Sequence, residues 1–263
     1  MKHRPEILIQ AALALFLLCA IGHCEAQPQA KENDPNKWKQ SFTTYFWLPA
    51  QNGDAVVRGR PVDVDISISD SWDALSSLDG AAVFHYEAQK KRSYILADLF
   101  YIKLEDNVST AQGDAEFENS QTIAELATAL EVSRKMLNTG RIQTVDLLGG
   151  LRYSKLALKL KGAVNAEGDQ SWIDPFIGAR LTRRLSDQWT FWTRGDIGGF
   201  GIGDASDFTW NLVLGFQYIL SDMWELNLGW RWLDYDHDTG SGNSRFEYDV
   251  LLDGPFIGFT YNW

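Results

Sequence analysis

Chemistry in a protein chain usually begins with a histidine or a carboxylate pair, and here the choices are few. Of the four histidines, His3 and His23 fall in the N-terminal 26 residues, leaving His85 and His237. His85 precedes Glu87 by two positions, so on a strand the two share a face. Such a pair could act as a general base on a neighbouring hydroxyl. His237 sits in "LDYDHDTGSGN", where Asp234, Asp236 and Asp238 alternate as in a calcium loop. The glycine arrives one place late at Gly240, and the twelfth position holds Arg245 in place of a bidentate glutamate, so the stretch reads as a solvated acidic extracellular loop. "GDIGGFGIG" has the glycines of a phosphate loop but no helix after it, and reads as a tight extracellular turn. The expectation is a protein that is not an enzyme and has no catalytic, metal or cofactor-binding residues.

The segments that must carry these residues alternate with period two. In "MWELNLGWRWLDYD", Trp224, Leu226, Leu228, Trp230 and Trp232 share one face, and Glu225, Asn227, Gly229 and Arg231 the other. "FTWNLVLGFQYIL", "WIDPFIGARLTRRL", "RIQTVDLLGGLRYS" and, more weakly, "RSYILADLFYIKL" repeat the pattern. A soluble barrel points its apolar face inward and covers its outside with Lys and Glu. Here the polar faces mix Asp, Glu, Arg, Gly and Thr, which suits a small barrel interior with lipid against the other face. This assigns Asp98, Glu125, Asp146, Arg152, Asp174, Arg180, Arg194, Asp196, Glu225, Arg231 and Asp249 to the lumen.

Export is written into the start. Lys2 and Arg4 precede "ILIQAALALFLLCAIG", too short for a confident spanning helix, and Cys24-Glu25-Ala26 offers a cleavage site. The expected organisation is a signal peptide at 1–26, a polar periplasmic lead-in at 27–40 and a barrel at 41–263. Both cysteines, Cys19 and Cys24, leave with the signal, so disulfide scaffolds and thiolate chemistry are excluded. The net charge of −11 argues against nucleic-acid partners.

Strand counting gives an all-β, antiparallel transmembrane barrel of about ten strands, with eight or twelve as alternatives. The parity rule for such barrels favours an even number. Residues 49–78 form an insertion. Within it "SDSWDALSSLD" predicts a short helix near 70–78, capped by Ser69 or Asp70 and carrying Trp72, Leu75 and Leu78 as a plug, a lid or a loop held to the surface. In the last strand, Val250 and Leu252 have opposite parity to Ile257, Phe259, Tyr261 and Trp263. Placing both sets in lipid requires a β-bulge at Asp253, Gly254 and Pro255.

"YFWLP", "SISDSWDALSSLD", "WIDPFIGARL", "RGDIGGFGIG", "DFTWNLVLGFQY", "LGWRWLDYD" and "GPFIGFTYNW" together resemble an uncharacterised, porin-like family of Gram-negative outer-membrane β-barrels. The resemblance covers most of the mature chain. It implies an outer-membrane location, with membrane lipid, lipopolysaccharide and the barrel-assembly machinery as partners; it does not specify an oligomeric state. The ending is similar to the assembly signal of such proteins, with Phe259, Tyr261 and Trp263 in the alternating apolar positions. A narrow pore for small solutes is the leading functional expectation. A structural or surface-binding barrel without a pore comes second, and a lipid-modifying enzyme third.

Overall fold

The computed structural model describes residues 36–76, 81–110, 113–162 and 166–263. The signal peptide and most of the lead-in lie outside the described residues, as do Leu78 and the side chain of Leu75.

The strands are β1 (Lys39–Trp47), β2 (Ala50–Val57), β3 (Arg60–Ile66), β4 (Ala81–Lys90), β5 (Ser93–Thr110), β6 (Gly113–Met136), β7 (Ile142–Gly162), β8 (Ala166–Arg184), β9 (Trp189–Gly199), β10 (Phe208–Ile219), β11 (Trp224–Thr239) and β12 (Phe246–Asn262). β1 and β4 to β12 pair in sequence, all antiparallel, and β12 returns to β1 with Phe42 opposite Tyr261. The ring therefore has ten strands, as expected. Short turns join strands at one end, such as the two residues between β4 and β5, while β6 and β7 run 24 and 21 residues and rise well above the ring's low side.

β2 and β3 do not enlarge the ring. β1 leaves β4 after Thr44 and continues through β2 along β12 in unchanged register, from Ser41 opposite Asn262 to Val57 opposite Phe246. β3 folds back on β2 as a hairpin. The helix α1 (Ile68–Ser76) follows and packs against β5. Its cap is Ser67, not Ser69 or Asp70. The Asp70 carboxylate accepts the Ser67 amide at 2.8 Å, and the Ser67 hydroxyl accepts the Asp70 amide at 3.4 Å, a reciprocal pair one turn apart. Trp72 is 58% exposed and does not hold the helix down.

The two faces of the long strands exchange character part-way along. On β11 the outward residues from Trp224 to Trp232 are apolar, but above them Asp234, Asp236 and Asp238 point the same way. Inward, Glu225, Asn227 and Arg231 give way to Leu233, Tyr235 and His237, all three buried. β7 does the same. Leu147, Leu151 and Tyr153 face out, then Lys155 and Lys159, while inward Asp146 and Arg152 precede Leu156 and Leu158. β8 follows, with Ile173 and Ile177 outward in the lower part and Glu167, Asp169 and Ser171 in the upper. The lower outward belt spans about nine residues per strand, the length a tilted strand needs to cross a bilayer, with Trp189, Trp224 and Trp263 at its short-turn edge. Above the belt the outside is polar and the inside dry.

That upper part is a head with its own core. Val57, Val62, Val64 and Ile66 of the hairpin, with Leu233, Tyr235, Tyr248, Val250 and Leu252 of β11 and β12, pack against Phe100, Ile102, Ile123, Leu156, Leu158 and Trp172 of β5 to β8. The two walls touch: Trp172 stacks on His237 at 4.2 Å, and Asn119 donates to Gln51 at 2.8 Å.

Three expectations change here. There is no bulge at 253–255, because β12 pairs with β11 without a break and Asp253 and Phe259 share the outward face. Val250 and Leu252 have the opposite parity because they face the core of the head, not lipid. Gly254 is required by close approach: a Cβ there would lie 1.9 Å from the Leu48 carbonyl oxygen. Asp249 lies outside, exposed, not in the lumen. The Asp234–Asp238 stretch is strand, not loop.

Candidate functional site

At the level where the faces exchange, the lumen is crossed by an ionic layer. Arg152, with no exposed surface, donates from Nε to Glu125 at 2.8 Å and from Nη2 to Asp196 at 2.6 Å. Arg194 reaches the other oxygens of the same two carboxylates, at 2.7 and 2.9 Å. Arg231 donates to Asn211 at 3.0 Å and Glu125 at 3.3 Å, and lies 3.9 Å from Asp98. Asp98 accepts Tyr45 at 3.1 Å and meets His85 Nδ1 at 3.2 Å. Three guanidinium groups thus face three carboxylates, the pairing that a buried charge demands. Adjacent strands β5 to β7 and β9 to β11 supply these residues because their inward positions come level in register, Asp98 with Glu125 and Glu125 with Arg152.

Trp47 roofs the layer. It is 2% exposed, donates to the Gly254 carbonyl at 3.2 Å, lies under Phe100 and carries the Arg231 guanidinium on its ring at 4.8 Å. Arg152 and Arg194 lie over Phe176 in the same way, at 5.0 and 5.3 Å.

Below the layer is a cavity of about 300 Å³ that opens toward the short-turn end, down to Ser41, Gln89, Thr182 and Gln217. A second ionic group forms part of its wall. Arg180 donates to Asp146 at 2.9 Å and to Glu87, with its guanidinium carbon 4.7 Å from the centre of the Tyr94 ring. On the other side Thr43, Thr260 and Asn227 form a hydrogen-bonded chain. Trp192 and Phe256 meet at 6.1 Å between ring centres.

Of the lumen candidates, Asp98, Glu125, Arg152, Arg194, Asp196 and Arg231 come together in the layer, and Asp146 and Arg180 beneath it. Asp174 is inward but apart. It accepts the Ser206 amide at 2.7 Å and Trp172 at 3.0 Å, pinning the β9–β10 turn against β8. Glu225 stands near the mouth and accepts Gln217. Asp249 is outside. Phe259, Tyr261 and Trp263 lie on the outward face of the closing strand. Unforeseen were Trp47, Tyr45, Trp192 and Phe256, aromatics that line the interior. For Trp192 the signal was its parity with Arg194 and Asp196, and for Phe256 its parity with Gly254 and Gly258.

The closed ring, apolar belt and charge-filled interior define a small transmembrane β-barrel. No protein-family model matches the chain, and no curated protein matches it. Among solved structures it is similar to the translocator domain of the autotransporter NalP from Neisseria meningitidis, at 10% identity and a TM-score of 0.39 over 97% of this chain and 95% of that one. Ail of Yersinia pestis aligns at 8% identity and 0.34 over 86% and 98%, and neisserial surface protein A at 10% and 0.33 over 86% and 96%. Likeness of this degree carries no argument about activity.

Proposed function

We propose that the protein is an integral outer-membrane barrel whose lumen is closed, a structural or surface-presenting barrel in preference to a narrow pore. The short-turn end faces the periplasm, and the head stands outside the cell. The observation that carries this is the roof: an ionic layer whose central arginine has no exposed surface, covered by Trp47 and then by the apolar core of the head. A solute would have to break paired buried charges and then cross a dry core. Ten strands are close to the size at which side chains alone fill a barrel. The His85–Asp98 pair belongs to the layer, and we read it as structural, not catalytic. Lipid and lipopolysaccharide are the partners that the belt and the head's lower rim would meet.

Planar-bilayer recording of the purified barrel is the test. The expected result is a flat baseline. Steady conductance in the intact protein would overturn the reading.

A further inference from the structure

The closed-lumen reading accounts for the roof but not for the chamber beneath it. We propose that this cavity is a binding site for a neutral, polyhydroxylated ring, a single saccharide unit entering from the periplasmic side. The proposal rests on the closed lumen in one respect only, that the cavity is blind.

An aromatic stretch of wall is the first observation. Gly215 and Gly229 are direct partners on β10 and β11. A Cβ on Gly215 would fall 2.4 Å from the Trp192 ring, and one on Gly229 would fall 2.5 Å from the Phe256 ring. The missing side chains let both rings lie across the backbone and present a broad apolar surface in an otherwise polar chamber. The C–H face of a pyranose matches such a surface, since aromatic rings carry a negative face.

Polar lining is the second. Thr43, Thr260 and Asn227 present a hydrogen-bonded chain of hydroxyl and amide groups to the cavity, and a hydroxyl both donates and accepts. Charge is the third. Glu87, Asp98 and Asp146 balance Arg180, Arg194 and Arg231 on the wall, so a ligand with net charge would bury it uncompensated. The volume of about 300 Å³ stands at the lower limit for ligand pockets and fits one ring.

The test is calorimetric titration of the full barrel in a polyoxyethylene detergent, which carries no sugar. The titrants are glucose and N-acetylglucosamine, with glucosamine and glucuronate as charged counterparts. At least one neutral sugar is expected to bind at one per chain and roughly tenfold more tightly than either charged one. Affinity should fall roughly tenfold or more in Trp192→Leu and in Thr43→Val, each first shown to keep heat-modifiable migration. Phe256→Leu replaces Trp192→Leu if that variant does not fold. The proposal is overturned by absence of heat from both neutral sugars at about 10 mM, by preference for a charged sugar, or by unchanged affinity in the variants. Conductance of the same preparation is read separately, so a conducting barrel would sink the closed-lumen reading without deciding the titration.

Discussion

Arg152 is held by Glu125 and Asp196, and none of the three has appreciable access to water. Its removal leaves two carboxylates buried and short of a partner, whereas replacing the whole network by apolar groups would not. Arg152→Ala is therefore expected to cost about 3–5 kcal/mol, read from urea unfolding in detergent or lipid. A loss below about 1 kcal/mol would mean that water reaches the layer. His237, in the head above the membrane belt, has the opposite problem. It is 2% exposed, both ring nitrogens lack partners, and burial against Trp172 pushes its pKa below the ordinary value, opposed by Asp174 and neighbouring aspartates. A histidine whose folded-state pKa is depressed takes up its proton more readily when unfolded. Stability is thus fully present above the unfolded value of about 6.5 and declines as the pH falls below it. His237→Phe should flatten the decline of head stability between neutral and mildly acid pH, and an unaltered profile would contradict the assignment.

At the scale of the element, β11 makes the exchange of faces testable on one strand. Leu228 and Asp236 point to the same side. Arg at Leu228 meets lipid and should cost about 2–4 kcal/mol. Arg at Asp236 meets water and a row of aspartates, since Asp236, Asp249, Asp54 and Asp63 are consecutive cross-strand partners. Like charges directly opposite repel, so Asp236→Arg should stabilise by about 0.2–1 kcal/mol. On the inner face Leu233 is fully buried, and Leu233→Ala should cost about 2–5 kcal/mol. Equal sensitivity of Leu228 and Asp236 to arginine would refute the exchange.

For the whole molecule, closure depends on β12, which holds β1 on one side and β11 on the other. Tyr261 is the partner of both Phe42 and Trp224, and the Trp263 amide donates to the Gln40 carbonyl at 3.1 Å. Deleting Tyr261 to Trp263 removes the seam's last bonds and its interfacial rings together. The truncated protein should lose heat-modifiable migration and accumulate outside the membrane fraction. Normal migration would show that the seam is held by the remaining pairs.

Period-two alternation determined the architecture by itself. A strand offers two faces, and Trp224 to Trp232 on one with Glu225 to Arg231 on the other already say that one side is apolar and one polar. The count of about ten followed from segments of spanning length, while the exclusion of β2 and β3, which would have made twelve, was decided by their pairing along β12. What alternation does not encode is which solvent each face meets. Val250 and Leu252 read as lipid-facing, and on that reading the conflict with Ile257 and Phe259 requires an extra residue, although β12 pairs without a break. Its inner face becomes dry because β5 to β8 and the β2–β3 hairpin rise together above the belt and pack across the lumen. That is a contact between segments far apart in the chain, and no local pattern carries it. Asp249 was misplaced for the same reason. The inward charges were visible as a set, but their division depended on tertiary contacts: Glu125 and Asp174 are both level with Arg152 in register, yet Asp174 turns to Trp172 and to the Ser206 turn. Parity along a strand is local and survives in the sequence, whereas the environment that each parity meets is a property of the closed ring and its head.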